Sequence, residues 1–280
     1  MKIAGVVVLY NPNANVIDNI ASYINQIDTL YVLDNSDIIN SSLVLILKNN
    51  KNVVYINNDG NLGIGSAFNI AAKLAIKENY QYLLTMDQDS KADSSMIELM
   101  VDACDGIENI GIISPVHINR FNTQKMENTS ISEKFDVMAS GNLVNLNAYK
   151  KVGGFNEEYF IDYVDVEFCL KMNLGKFKII QVNKAKLFHE EANITKVNIW
   201  GNNFYPYNHS AIRLYYKTRN RLYLRKNYKR LFKEYLNERE SKMYWNTIFK
   251  IILFEKNKIE KIRMVGKGFY DYLLNRSGKI

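Results

Sequence analysis

The sequence has little cysteine and little proline, two Cys and three Pro in 280 residues. Cys104 and Cys169 lack CxxC spacing and have no surplus partners, which excludes a disulfide scaffold and a cysteine-based zinc site. The expected compartment is the reducing cytoplasm. Three prolines leave no Pro-rich linker. Long apolar runs are missing as well: Lys or Asn interrupts every candidate for the roughly 18 apolar residues that cross a bilayer. The first apolar run, Ile3 to Tyr10, is too short to cross and no small-residue cleavage site follows it, so it reads as a buried strand. What the chain does hold is apolar and aromatic: 47% hydrophobic, with 19 Tyr and 13 Phe. That supplies a sizeable core for one or two domains and excludes a disordered chain.

Acidic side chains are scarce in the last quarter. Residues 1–210 carry 17 basic and 23 acidic side chains, net −6, whereas residues 211–280 carry 19 and 6, net +13. The expected division is therefore a body over 1–210 and a basic, aromatic, helical extension over 211–280. Tyr215, Tyr216, Tyr223 and Tyr228 interleave there with Arg213, Arg219, Arg221 and Arg225. Such a pattern suits an anionic membrane surface or a nucleic acid.

Short β-branched runs alternate with helical patterns through the first half, the signature of βα units on a mainly parallel sheet. Strands are expected at 3–9, 30–34, 53–57, 82–86 and 111–114. Between them, helical faces are spelled by Ile17, Ile20, Ala21, Ile24 and Ile27, by Ala67, Ile70, Ala71, Leu74 and Ala75, and by Met96, Leu99, Met100 and Ala103. A polar stretch from His117 to Lys134 reads as a loop or irregular insertion. Further strand-like pieces at 178–182 and 185–189 lead into a polar loop from Glu190 to Asn208. From Ala211 the pattern is helical, with Met243, Trp245, Ile248, Phe249, Ile252 and Leu253 forming an apolar face interrupted by Lys250.

In Leu83-Leu84-Thr85-Met86-Asp87-Gln88-Asp89-Ser90 an apolar strand ends in Asp-Gln-Asp, and residues two apart on a strand face the same way. At the carboxyl end of a parallel strand the two acids make a hard oxygen site for Mg²⁺ or Mn²⁺ bridging a diphosphate. As a bare motif they equally read as turn and helix-capping carboxylates. Asp34, ending the second strand, either accepts the ring N–H of a uracil or thymine or belongs to the turn begun by Asn35 and Ser36. Asn61-Leu62-Gly63-Ile64-Gly65 precedes a helix, which suits close backbone approach to a nucleotide. It lacks the third glycine of the dinucleotide fingerprint and follows the third strand, which disfavours a Rossmann dehydrogenase. After Gly153-Gly154-Phe155, helical spacing from about Asp162 sets Asp162 and Asp165 on neighbouring faces. A carboxylate there takes a proton from an incoming hydroxyl or simply sits against the helix dipole.

Taken in order, Leu9-Tyr10-Asn11-Pro12, Leu33-Asp34-Asn35-Ser36, Asn61-x-Gly63-x-Gly65, Asp87-Gln88-Asp89-Ser90 and the run from Gly154 through Asp165 to Lys171 resemble glycosyltransferase family 2. Within that family the likeness is to bacterial rhamnosyltransferases of O-antigen and capsule assembly. The resemblance implies a GT-A fold, α/β and Rossmann-like with a mostly parallel central sheet, followed here by the C-terminal helical extension. It implies an inverting sugar transfer assisted by Mn²⁺ or Mg²⁺. Carried over by position, Tyr10 and Asp34 contact the nucleotide base, and Asn61, Gly63 and Asn69 line its pocket. Asp87 meets the ribose or the cation, Asp89 holds the cation, and His189 stands where some relatives supply a metal-binding histidine. Asp165 becomes the general base, with Asp162 in reserve, because this chain has Val164-Asp165 where many relatives have Glu-Asp. His117 and His209 are expected to be structural or at the surface.

The resemblance further implies dTDP-rhamnose as donor, ahead of UDP-linked hexoses or galactofuranose. The acceptor is a polyprenyl-diphosphate-linked or growing surface polysaccharide, reached from the inner face of the cell membrane. The basic extension then binds an anionic membrane surface or packs as a homodimerising helix pair, and no nucleic acid is expected. Two other readings compete. A nucleotidyltransferase would want a Gly-rich basic loop after the first strand, which Leu9-Tyr10-Asn11-Pro12 does not supply. A non-enzymatic nucleotide or nucleic-acid binding module would use the +13 extension for phosphate contacts.

Overall fold

The computed structural model describes residues 1–119, 129–189, 194–199 and 201–280. Two compact units emerge, Met1–Glu157 with Val164–Glu190, and Glu158–Tyr163 with Glu191–Ile280.

The first unit is an α/β sheet structure. Strands β1 (Ile3–Leu9), β2 (Thr29–Asp34), β3 (Val53–Asn57) and β4 (Tyr82–Asp87) run parallel in the order β3-β2-β1-β4. Being covered on both faces, β1 buries every residue but Val8, as a central parallel strand should. The helices between them are α1 (Val16–Ala21), α2 (Ser41–Lys48) and α3 (Ile64–Lys77). In α3 the alanines Ala67, Ala71, Ala72 and Ala75 are fully buried, small enough for the helix to lie close to the sheet. The expected face over 17–27 is split: α1 stops at Ala21 and a 3-10 turn, Ile24–Gln26, follows, yet Ile20, Ile24 and Ile27 still reach the core. Helix α2 was not expected. Its run Leu43-Val44-Leu45-Ile46-Leu47 is apolar all round, so no period marks it; only Leu43 and Leu47 are buried, and Asn40 caps its start by accepting from Leu43 N–H.

Beyond β4 come β5 (Ser90–Ala92), α4 (Met96–Ala103), β6 (Ile110–Ile118), β7 (Ile131–Glu133), β8 (Asn142–Asn145), α5 (Leu146–Val152), α6 (Val164–Leu174) and β9 (Lys178–His189). Strand β8 is antiparallel to both β4 and β6, β9 is parallel to β6, and β5 and β7 are each antiparallel to β9. The pieces expected at 178–182 and 185–189 are one strand whose register against β6 shifts after Pro115. Asn183 fills the break, donating to the carbonyl of Thr129. Gly141, at φ +81°, precedes β8; a Cβ there would press on Pro115 and Leu187.

The second unit contains a short hairpin of β10 (Val197–Ile199) and β11 (Asn202–Phe204), then helices α7 (Ala211–Tyr228), α8 (Ser241–Phe254) and α9 (Lys258–Leu273). A π-helical turn, Tyr235–Glu240, leads into α8. Ser210 caps α7 by accepting from Arg213 N–H. Of the two expected polar loops, residues 120–128 and residues 190–193 and 200 lie outside the described residues. Arg219 is completely buried between Tyr215 and Tyr216, donating to Tyr215 Oη, Asn220 Oδ1 and the carbonyls of Glu158 and Gly278. Both cysteines are free and buried, and burial pushes the Cys104 thiol up to about 11.

Candidate active site

Because β1 to β4 are parallel, their carboxyl ends share one edge, where open α/β sheets bind ligands. The register sets Leu9 beside Asp34, Asp34 beside Asn57, and Val8 beside Asp87. At this edge Tyr10 N–H donates to Gln88 Oε1 at 2.9 Å, and Gln88 Nε2 returns a bond to the Tyr10 carbonyl at 3.2 Å. Tyr10 keeps an exposed ring whose Oη donates to Asp37, a contact that raises its pKa. Asp34 is buried: one carboxylate oxygen accepts from Ser36 N–H at 2.9 Å and the other from Tyr55 Oη at 2.7 Å. Burial, and then this bond, push the Tyr55 phenol up, so it stays a donor. Asn61 Oδ1 accepts from Gly63 N–H, turning the chain so that Gly63 sits at φ +84° ahead of α3.

Asp87 closes β4, whereas Asp89 lies in the following turn, so strand alternation is not what joins them. The antiparallel pairing of β5 with β9 sets Ser90 opposite His189 and brings the imidazole across. One ligand atom from each of Asp87, Asp89 and His189 then lies within 4.8 Å of the other two. The two carboxylates suit Mn²⁺ or Mg²⁺, and the imidazole is a donor for a transition metal, so the full set fits Mn²⁺ better than Mg²⁺. Two serines missed by sequence reasoning support it. Asp87 N–H donates to Ser140 Oγ at 3.0 Å, Ser140 Oγ donates to Ser90 Oγ at 2.8 Å, and Ser90 Oγ lies 2.7 Å from His189 Nδ1. Both serines are buried, so the chain of bonds is shielded from water. Ser90 stood in the acidic motif itself; nothing local to Ser140 announced it.

Asn69, expected in the nucleotide pocket, is spent on the protein. Its Nδ2 donates to the Phe155 carbonyl and to Glu157, and its Oδ1 accepts from Tyr149 Oη and Phe155 N–H. Gly65 lets the same loop come close, since a Cβ there would stand 2.9 Å from the Asn156 carbonyl. Phe155 stacks on Phe168 of α6 at 4.0 Å between centroids, with Phe68 and Tyr149 against it. Asp165, in the first turn of α6, accepts from Val166 N–H and lines a small crevice with Thr85, Ala139 and Asn142. Thr85 lies two residues before Asp87 on β4, on the same side of the strand.

Asp162 falls in the other unit. Arg213 holds it at 2.9 Å and Lys217 at 3.8 Å; burial pushes its pKa up, but those cations and the Arg213 hydrogen bonds outweigh it and the carboxyl stays below its usual range. A carboxylate so committed is a poor proton acceptor. His117 is lowered to about 4 by burial and lies 2.7 Å from the Ser140 carbonyl, and burial followed by the Lys217 and Arg213 charges lowers His209 to about 3. Both are neutral structural side chains near pH 7.

The model of the family described as "Glycosyl transferase family 2" matches residues 6–179. The "dTDP-rhamnosyl transferase RfbF" of Shigella flexneri is 30% identical over 281 residues, covering 94% of this chain and 92% of the relative. Among solved structures, TarS 1–349 of S. aureus in complex with UDP-GlcNAc superposes with a TM-score of 0.65 at 15% identity, covering 96% of this chain and 80% of that one. GalNAc-T7 with UDP, GalNAc and Mn²⁺ gives 0.63 at 13% identity; this chain is covered to 96% but spans only 57% of that longer one. The fold is GT-A. This chain belongs to glycosyltransferase family 2, as a glycosyltransferase similar to the bacterial rhamnosyltransferases.

Proposed function

We propose that the chain transfers L-rhamnose from dTDP-rhamnose, with inversion, to a hydroxyl of a polyprenyl-diphosphate-linked or growing cell-surface polysaccharide, working in the cytoplasm at the inner face of the membrane. The observation that carries the reading is the Asp87, Asp89 and His189 cluster at the same strand edge as Tyr10 and Asp34. The dTDP-rhamnosyl relative, similar over nearly its full length, supports the donor.

In this reading Asp34 accepts the thymine ring N–H through a remaining lone pair while Tyr55 and Ser36 hold it. Tyr10, Asn61 and Gly63 flank the base, and Asn69 shapes the pocket by fastening the 155–157 loop to α3. Asp89 and His189 hold the cation, with Asp87 beside them or on the ribose. A bound Mn²⁺ or Mg²⁺ offsets the negative charge of the departing diphosphate. Asp165 takes the acceptor proton as the acceptor oxygen bonds to the sugar C1. The bond from C1 to the diphosphate oxygen breaks with its electron pair leaving on dTDP, and attack opposite the leaving group inverts C1.

A thermal-shift panel of dTDP, UDP, GDP and CDP, with and without Mn²⁺, tests this. A nucleotide at about 100 times its dissociation constant stabilises the fold by about 2.7 kcal/mol. A Mn²⁺-dependent shift with dTDP alone is the expected result. A UDP-selective shift would move the donor to a UDP-hexose or galactofuranose, and no shift with any nucleotide would overturn the proposed dTDP-rhamnose donor.

A further inference from the structure

Most of the apolar face expected on α8 is exposed, Ile248 being partly covered. Trp245, Phe249, Ile252 and Leu253 are 61%, 51%, 49% and 49% accessible. Their spacing, i, i+4, i+7 and i+8, puts them on one stripe rather than scattered. Lone exposed apolar residues are ordinary; a continuous stripe with a tryptophan marks a surface that binds something. Helix α9 repeats the feature with exposed Ile259, Ile262 and Phe269.

The charges around the stripe select the partner. Helix α8 has no Asp or Glu; exposed Lys242 lies on the stripe one turn before Trp245, and exposed Lys256 continues its spacing just past the helix end. Residues 211–280 as a whole carry 19 basic and 6 acidic side chains, net +13. A second copy packed on the same stripe would set its own Lys242 and Lys256 against these lysines and be repelled. An anionic bilayer answers both features, with headgroups against Lys and an acyl boundary against Trp and Phe. At 14 residues the helix is about 21 Å long against a hydrocarbon core of about 30 Å, and no helix among the described residues is long and apolar enough to cross a membrane. It can lie in the interface but not span it.

We propose that the exposed stripe of α8 is a docking surface for the headgroup and acyl boundary of an anionic lipid bilayer. This rests on the reading that the chain acts at a membrane. The test is co-sedimentation with vesicles of phosphatidylcholine alone or mixed in equal parts with phosphatidylglycerol. In parallel, Trp245 emission is followed in the Trp200→Phe background, Trp200 being the other tryptophan of the two in the chain. The expected result is binding to the mixed vesicles only, weakened by salt, with Trp245 emission moving to the blue. The double variant Trp245→Ser, Phe249→Ser should bind at least about tenfold more weakly while its nucleotide-induced thermal shift is unchanged. Wild-type strength in that variant would overturn the α8 assignment and leave the membrane reading standing. No vesicle binding by the wild-type chain would overturn both. A dimer, seen by light scattering and abolished by the same variant, would give the face to a second copy instead.

Discussion

The two units divide their side chains between inside and outside in opposite ways. In the first, the strands bury Val, Leu and Ile, and Asp34 and the group of Asp87, Asp89 and His189 lie at the carboxyl edge. In the second, Arg219 is wholly buried and Glu240 nearly so, while Trp245 and Phe249 face outward. Two acids three residues apart show what this means. Asp162 is tied to Arg213 and Lys217, whereas Asp165 lines a crevice beside Thr85. One arrangement gathers acids and an imidazole at an open strand edge; the other spends its charge internally and turns apolar surface outward.

The sharpest test of this contrast is Asp165→Asn, which should lower transfer about a hundredfold to ten-thousandfold and leave dTDP affinity unchanged, measured by product formation and calorimetry. The same change at Asp162 should act on stability instead. Full turnover in Asp165→Asn would remove the base assignment.

In the second unit, Arg219→Met should destabilise the fold by about 3 kcal/mol in urea unfolding, because the carbonyls of Glu158 and Gly278 lose their donor in a dry interior. A loss below about 1 kcal/mol would mean that water replaces the guanidinium. In the first unit, Ser90→Ala should weaken Mn²⁺ binding about tenfold in a calorimetric titration. dTDP binding without the ion should be untouched, and equal Mn²⁺ affinity would show that Ser90 does not orient His189.

Acidification discriminates more gently. His117, lowered from 6.5 to about 4, and His209, lowered to about 3, bind a proton more readily unfolded than folded. Their contribution is complete above about pH 6.5 and declines as pH falls from there toward 4 and 3. Asp162, held below its ordinary 3.8, adds a further loss only at lower pH. Denaturant midpoints from pH 7 downward should therefore begin to fall near 6.5, less steeply in His117→Gln; a flat profile down to pH 4 would contradict the burial of both rings. The smallest effect should come from Trp245→Ser, within about 0.5 kcal/mol of wild type, since its ring is already in water.

Much of the first unit was legible in the residues. The expected strands at 3–9, 30–34, 53–57 and 82–86 occupy their places because β-branched runs bounded by turn residues carry an unambiguous local signal. Helix α2 escaped because it is apolar on every face. The acids at the strand ends could be named from Asp34 and Asp87-Gln88-Asp89, and the family resemblance named His189 beside them, but Tyr55 and Ser140 could not be named. Tyr55 reaches Asp34 through the β2–β3 register, and Ser140 lies more than fifty positions from the strand end it supports.

By itself, the sequence determined the strands of the parallel half of the sheet, which of them end in carboxylates, the family, and the concentration of basic charge in residues 211–280. These follow from periodicity, turn chemistry and composition, all local properties of the chain. The tertiary structure decided that β5 pairs with β9 and so carries His189 to Asp89, that Asp162 is tied to Arg213 while Asp165 lines a crevice with Thr85, that Arg219 lies inside, and that Trp245 lies outside. Pairing and burial depend on contacts between residues far apart in the chain, and a local pattern fixes the face a side chain occupies without naming what will cover it.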